Sequence, residues 1–85
     1  MTEDQAIKLL RCDDARLVDI LLSMVNLTWK EEKAVNLCGR QELTQFQAAE
    51  NIGVEQSTMH RWYKQGLDKI CRVWGSVWWV EKLIN

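Results

Sequence analysis

The stretch that decides the predicted fold runs from Leu43 to Arg72 and reads LTQFQAAENIGVEQSTMHRWYKQGLDKICR. Thr44 stands three residues before Gln47, which is the spacing of a capping box, and a short helix is therefore expected over residues 45–51. This helix is the first half of a predicted two-helix unit.

A tight turn and a second helix follow. Gly53 tolerates positive φ, the usual way to end a helix sharply, and the next helix is expected to begin near Gln56. Two helices that cross steeply need small residues where they approach, and Ala48 and Ala49 supply them. The larger apolar side chains that would close the corner are Ile52, Val54, Met59 and Trp62.

The remaining positions of the second helix are polar. Gln56, Ser57, His60, Arg61 and Lys64 fall at i, i+1, i+4, i+5 and i+8, which is one face of a helix. Side chains of this kind contact base edges and phosphates in the major groove of DNA.

This segment resembles the helix-turn-helix of lambda-type repressors and Cro proteins, without a gap from Gln45 to Lys64. The wider window, Leu27 to Arg72, resembles region four of bacterial sigma factors. The matching residues are Leu43-Thr44, Ala48-Ala49-Glu50, Ile52-Gly53-Val54, Gln56-Ser57-Thr58-Met59 and Gly66-Leu67-Asp68-Lys69-Ile70.

The resemblance implies a small all-α bundle of four to six helices that contains a helix-turn-helix. One domain, residues 1–85, would comprise N-terminal helices (1–26), the sigma-region-four-like unit (27–72) and a Trp-rich tail (73–85). The implied function is sequence-specific recognition of double-stranded DNA by a transcriptional regulator of phage or bacterial type.

Each DNA-binding residue has an expected role in this reading. Gln56, Ser57, His60 and Arg61 are candidates for base edges, because Gln suits adenine and Arg suits guanine in bidentate geometry. Thr58 belongs to the same set of candidates. The candidates for phosphate contacts that set the register are Thr44, Gln45, Gln47, Lys64 and Lys69.

Charge is divided unevenly along a chain whose net charge is −1. Residues 1–32 carry four basic and seven acidic side chains, whereas residues 56–72 carry four basic and one acidic. Affinity for DNA follows local phosphate contacts rather than net charge. A handful of cations predicts modest affinity for a monomer, so a dimer or a partner is expected.

Other classes of function find little support in the sequence. The amino terminus is acidic, unlike a secretory signal, and no apolar run is long enough to span a bilayer, so a cytoplasmic location without membrane contact is predicted. Cys12, Cys38 and Cys71 lack metal-ligand spacing and are predicted to be small thiols that are buried or half-buried. With His60 the sole histidine and no glycine-rich phosphate loop, neither an enzyme, a cofactor nor a metal is predicted.

Capping signals also place the earlier helices. Thr2 with Gln5 predicts a helix over Glu3–Arg11, with Ile7, Leu10 and Ala6 inward, and Thr28 with Glu31 predicts a third helix that ends at Gly39. Between them, Asp13-Asp14 can cap a second helix. Its apolar stripe places this helix in the core or against a second protein, with the core favoured. The stripe comprises Leu17, Leu21 and Met24, flanked by Val18, Val25, Ile20 and Leu22, and the inner face of the third helix comprises Ala34, Val35, Leu37 and Cys38.

After Lys64 the chain continues an apolar stripe made of Leu67, Ile70, Cys71 and Trp74. Gly66 either lies within this helix or ends it. Trp74, Trp78 and Trp79 are the candidate partner interface, because adjacent tryptophans diverge by about 100° on a helix and Trp is enriched at interface anchors. Two readings of the tail stay open. It either closes a small core as an aromatic strap, or it packs partly on the first helices and partly on a partner, which would be a second copy or RNA polymerase.

Two alternatives stay open. Glu55, where the family often has a serine cap, would lie near DNA phosphate, so an adaptor that binds proteins through the Trp-rich tail fits the same sequence. Small terminase subunits of phages also carry such a unit, although this chain leaves little room for a ring-forming domain.

Overall fold

Six α-helices and one π-helical segment account for most of residues 1–84, the part of the chain that this computed structural model describes. No strand occurs within this range, which confirms the predicted all-α class and the predicted number of helices. The helices are α1 (Glu3–Leu10), α2 (Ala15–Ser23), α3 (Trp29–Ala34), α4 (Gln45–Ile52), α5 (Gln56–Trp74) and α6 (Trp78–Ile84), and the π-helical segment is Val35–Arg40.

Local capping explains where the first four α-helices begin. Thr2, Thr28 and Thr44 precede α1, α3 and α4, and each hydroxyl oxygen accepts the backbone N–H of the residue three positions on at 3.1–3.2 Å. In each box the Gln or Glu side chain accepts the threonine's own N–H at 2.8–3.0 Å. Asp14 caps α2 by accepting the N–H of Leu17 at 3.1 Å. All three predicted capping boxes and the predicted Asp cap are therefore confirmed.

The chain forms two units, and α5 contributes to both of them. The first unit contains residues 1–26 and continues from residue 67. In it α1 packs against α6, and the Trp74 indole N–H donates to the carbonyl of Leu21 at 3.1 Å. Its buried apolar side chains are Ala6, Leu9, Leu10, Val18, Leu21, Val25, Leu67, Ile70, Trp74 and Val80.

The second unit is Leu27–Gly66. Here the π-helical segment continues directly from α3 and packs against α4, so that both contribute to one small core. The buried apolar side chains of this unit are Ala34, Val35, Leu37, Cys38, Ala48, Ala49, Met59, Trp62 and Tyr63. They include the four predicted for the inner face of the third helix, together with the two alanines predicted at the turn.

Gly66 lies inside α5 and does not end it. A Cβ atom at this position would stand 2.7 Å from Cγ2 of Val35, and Glu31 is also close. Glycine therefore lets α5 approach α3 and the start of the π-helical segment more closely than a larger residue would.

Predictions for three individual positions are wrong. Ile20 and Met24 are 55% and 64% exposed and do not belong to the buried stripe of α2, and the helix itself ends at Ser23, one residue before Met24. Gly39 does not end the third helix, because the chain widens into π-helical turns and the N–H of Gln41 donates to the carbonyl of Asn36 at 2.9 Å. The turn that leads out of this segment contains Glu42, whose φ of 58° lies in the left-handed region.

Candidate nucleic-acid interface

The first three turns of α5 separate polar and apolar side chains onto two faces. Met59, Trp62 and Tyr63 are buried in the second unit at 0%, 7% and 8% exposure. The five residues of the predicted polar face, Gln56, Ser57, His60, Arg61 and Lys64, are all exposed. Burial of the aromatic face fixes the orientation of the helix about its axis, so the polar face is held toward solvent.

The turn before α5 has the predicted backbone. Gly53 adopts the left-handed conformation with φ 74° and ψ 36°, and its N–H donates to the carbonyl of Ala49. The N–H of Val54 donates to the same carbonyl at 3.0 Å, which closes the end of α4. This tight closure leaves only Val54 and Glu55 between the turn and the first residue of α5.

One side-chain hydrogen bond joins α4 to the polar face. His60 Nδ1 lies 3.1 Å from Gln45 Oε1. With the amide oxygen as acceptor, Nδ1 carries the proton, and Nε2 of the neutral ring is then left as an acceptor for a ligand. Gln45 therefore acts on the polar face by orienting His60.

Thr44 and Gln47 already serve the structure of α4. The Thr44 hydroxyl oxygen accepts the Gln47 N–H at 3.1 Å, and Gln47 Oε1 accepts the Thr44 N–H at 3.0 Å. The hydroxyl proton and the amide NH₂ group are the donors that these two exposed side chains can still offer to a phosphate. Thr58, another predicted contact, is half-buried and presents less of its side chain than its neighbour Ser57.

Lys69 stands apart from the other predicted DNA contacts. It belongs to the first unit, where its Nζ donates to the carbonyl of Asn26 at 3.1 Å. With Arg72 it lines an open groove of about 210 Å³ whose other walls are Val25, Asn26 and Val73. The Lys69 ammonium therefore already has a hydrogen-bond acceptor within the first unit.

The three candidate interface tryptophans fall into two groups. Trp74 is only 7% exposed and is part of the core of the first unit, where its indole N–H donates a hydrogen bond to the carbonyl of Leu21. Trp78 and Trp79 are 68% and 40% exposed. Lys82 Nζ stands 5.1 Å from the Trp78 ring, and Trp79 packs edge to face on Trp74 with centroids 6.1 Å apart.

The sequence analysis missed an aromatic cluster in the second unit. Trp29 is 68% exposed, its ring meets that of Trp62 edge to face at 5.9 Å, and Lys30 Nζ lies 5.7 and 5.5 Å from the two ring centroids. Phe46, 57% exposed on the first turn of α4, was also missed. Phe46 lies off the apolar stripe of α4, so its exposure could have been predicted from the sequence. The contact of Trp29 with Trp62 could not, because it forms only when distant parts of the chain fold together.

Two further features were sought in residues 1–84, a metal-binding cluster and a membrane-spanning helix. These residues bring no group of three His, Cys, Asp or Glu side chains together as a metal ion would need. None of their helices is both long and apolar enough to cross a bilayer.

Searches of protein-family profiles, curated proteins and solved structures find no match to the chain.

Proposed function

We propose that this chain is a sequence-specific DNA-binding protein, a transcriptional regulator of phage or bacterial type, whose α5 enters the major groove with residues 56–64. The observation that carries the proposal is the division of this helix into a buried aromatic face and an exposed polar face. An exposed face with several directional donors and acceptors, fixed by a packed opposite face, suits base readout.

The roles on this face follow from side-chain chemistry. Arg61 presents a planar guanidinium that fits the O6 and N7 atoms of guanine, and the Gln56 amide fits N6 and N7 of adenine. His60, oriented by Gln45, and Ser57 offer single hydrogen bonds. Lys64 contributes a phosphate contact that positions the helix and is indifferent to sequence.

Two single substitutions on this face test the proposal by distinct effects. Arg61→Ala should relax the preference at one base position and cost the preferred site roughly 1–3 kcal/mol. Lys64→Ala should weaken binding to all duplexes alike and lower the slope of log K against log[salt] by about 1. The measurement is fluorescence anisotropy, at several salt concentrations, with a duplex selected from a random pool.

Lys8→Ala is the matched control, because it removes an exposed cation from α1, outside the polar face. It should leave both the preferred sequence and the salt slope unchanged. Equal losses in all three variants would mean that binding follows overall charge, and the groove assignment would have to be abandoned.

A second candidate function, a protein-interaction module, is favoured by the 68% exposure of Trp78. In this reading α6 anchors a protein such as RNA polymerase, and Glu55 disfavours DNA. Salt separates the two candidates, because DNA binding falls steeply as salt is added whereas an aromatic anchor in an apolar pocket is far less sensitive. Failure to bind any duplex at low salt would favour this second candidate.

A further inference from the structure

The first unit contains a groove that the proposed DNA-binding face does not use. Its volume is about 210 Å³, and all five of its lining residues belong to this unit. Lys69, Arg72 and Val73 line the groove from α5, and the other lining residues, Val25 and Asn26, follow α2. These five residues are called the basic groove below.

A hydrogen bond between the two parts of the basic groove holds it in shape. Lys69 Nζ donates to the carbonyl of Asn26 at 3.1 Å, which joins α5 to the segment after α2 across 43 positions of the chain. Val25 is held as well, because it is only 6% exposed and its N–H donates to the carbonyl of Leu22 at 3.0 Å. A ligand therefore meets an ordered site, which lowers the entropic cost of binding.

The charge of the basic groove has one sign. Of the five lining residues, two are ionisable, Lys69 and Arg72, and both are basic. They stand three positions apart on α5 and therefore share one side of the helix. Arg72 is exposed, and a guanidinium presents a planar fork of donors that matches a carboxylate. Charge complementarity therefore requires an anionic group in the ligand.

The remainder of the basic groove suits an aliphatic side chain and a peptide group. Val73 is 38% exposed, and Val25 is the second apolar lining residue. The amide of the Asn26 side chain has both donors and an acceptor, which can pair with a peptide group. Pockets for drug-sized molecules have roughly 300–1,000 Å³, and a cavity of about 150 Å³ holds benzene. A volume of about 210 Å³ therefore has room for one or two side chains of a larger partner.

The backbone of DNA fits this site less well than a single carboxylate does. Asp68 is exposed and lies four positions before Arg72 on the same side of α5. Phosphates recur at short, even spacing along a strand, so a strand bound to Arg72 would also lie beside the Asp68 carboxylate and be repelled by it. The strand also has no aliphatic side chain to cover the two valines.

We propose that the basic groove binds an acidic segment of a partner protein, in which a carboxylate side chain stands next to an aliphatic one. The carboxylate pairs with the Arg72 guanidinium and the Lys69 ammonium, and the aliphatic side chain covers Val73 and Val25. A contact of this size predicts modest affinity, with a dissociation constant on the order of 100 µM for a short peptide.

The inference goes beyond the proposed DNA recognition and does not depend on it. The basic groove belongs to the first unit, whereas the polar face of α5, residues 56–64, belongs to the second. It also differs from the second candidate function, because its anchor is a pair of cations and not the exposed Trp78. The peptide and the duplex are titrated separately, so either proposal can fail without the other.

The experiment measures the fluorescence anisotropy of three labelled peptides of equal length as the full chain is added. In the first peptide aspartate alternates with leucine, in the second aspartate alternates with serine, and in the third lysine alternates with leucine. The first peptide is expected to bind at least fivefold more tightly than the second, because only leucine covers the valines. The third is expected not to bind, because its charge has the same sign as the groove.

Two variants test whether the first peptide occupies the basic groove. Arg72→Ala removes the charge-assisted hydrogen bonds and is expected to raise the dissociation constant roughly tenfold. Val73→Asp places a carboxylate beside that of the peptide and is expected to raise it by at least as much. Both positions are exposed, and circular dichroism checks that the helices persist.

Arg16→Ala is the matched control, because Arg16 is an exposed arginine of the same unit that does not line the groove. It should leave the dissociation constant unchanged. Equal losses for Arg16→Ala and Arg72→Ala, or equal binding of the aspartate–leucine and aspartate–serine peptides, would overturn the proposal. So would displacement of the peptide by an equal concentration of inorganic phosphate, which would make the groove a site for an isolated anion. A wild type that binds no peptide, with a duplex affinity that falls on Arg72→Ala, would assign the groove to nucleic acid.

Discussion

Gly66 lies at a position of the second unit where the packing leaves little room for a side chain. A Cβ atom there would meet Cγ2 of Val35, a β-branched side chain that is itself fully buried. Val has few rotamers on a helix, so it cannot easily turn away. The sequence alone left open whether Gly66 ends the helix, because the reason for glycine is a neighbour 31 positions earlier in the chain.

Gly66→Ala is predicted to destabilise the protein by up to about 2 kcal/mol. The substitution gains roughly 1 kcal/mol of helix propensity but overpacks a filled site, which typically costs about 1–3 kcal/mol. Urea unfolding measures the change. In the background of Val35→Ala, Gly66→Ala should cost less than it does alone, and equal costs in both backgrounds would contradict the contact.

The three cysteines are predicted to differ in reactivity. Burial raises the pKa of the Cys38 thiol, and burial is also the main cause of a raised pKa for Cys71, whose thiol donates to the carbonyl of Thr2 at 3.6 Å. A raised pKa lowers the fraction of reactive thiolate at pH 8. Alkylation followed by mass spectrometry should modify Cys12 first, Cys71 more slowly and Cys38 last. Early modification of Cys38 would contradict its buried position.

At the scale of elements, local signals predicted how the helices begin, and long-range packing decided how some of them end. Three Thr-x-x-Gln/Glu boxes lie within four residues each, so their hydrogen bonds need nothing from the rest of the chain. The π-helical segment Val35–Arg40 could not be predicted in this way. Its widened turns occur where the segment packs against α4, and no residue type in it specifies them.

Thr28→Ala is predicted to destabilise the protein more than Thr2→Ala, by about 1–2 kcal/mol against about 0.5–1 kcal/mol. Both substitutions remove a capping box, but the Thr28 box is partly buried and its Glu31 is only 5% exposed. Losing the cap there leaves a buried N–H without its acceptor. Thermal unfolding of the two variants gives the comparison, and a larger cost for Thr2→Ala would contradict it.

The helix α2 shows what hydrophobic periodicity can and cannot predict. The sequence offered two readings for it, the core or a second protein, and the structure buries Val18, Leu21 and Val25 while exposing Ile20 and Met24. The pattern indicated an unusually apolar helix but could not assign each side chain to a face, because the helix ends at Ser23 and its neighbours select the buried stripe.

At the scale of the whole molecule, the uneven distribution of charge is a secondary argument from the sequence for a nucleic-acid partner. Residues 56–72 are net positive by three charges in a chain whose total is −1. Two of the four cations, Lys69 and Arg72, line a groove in the first unit, and the other two, Arg61 and Lys64, belong to the polar face in the second unit. The polar face of residues 56–64 therefore carries half of the cations counted along this stretch of the sequence.

The candidate site was predictable in part, and for a physical reason. The polar face of α5 follows from helical periodicity, and all five of its residues are exposed as expected. The bond between Gln45 and His60 and the burial of Trp74 depend on contacts over 15 and 53 positions, which no local pattern specifies.

The most direct test of the central claim is a titration of the isotope-labelled protein with a DNA duplex, followed by two-dimensional NMR of the backbone amides. The account predicts that the largest shift changes map to residues 56–64 and to Gln45, and that they reverse as salt is added. Changes confined to residues 78–84, or no changes at low salt, would contradict DNA recognition by α5.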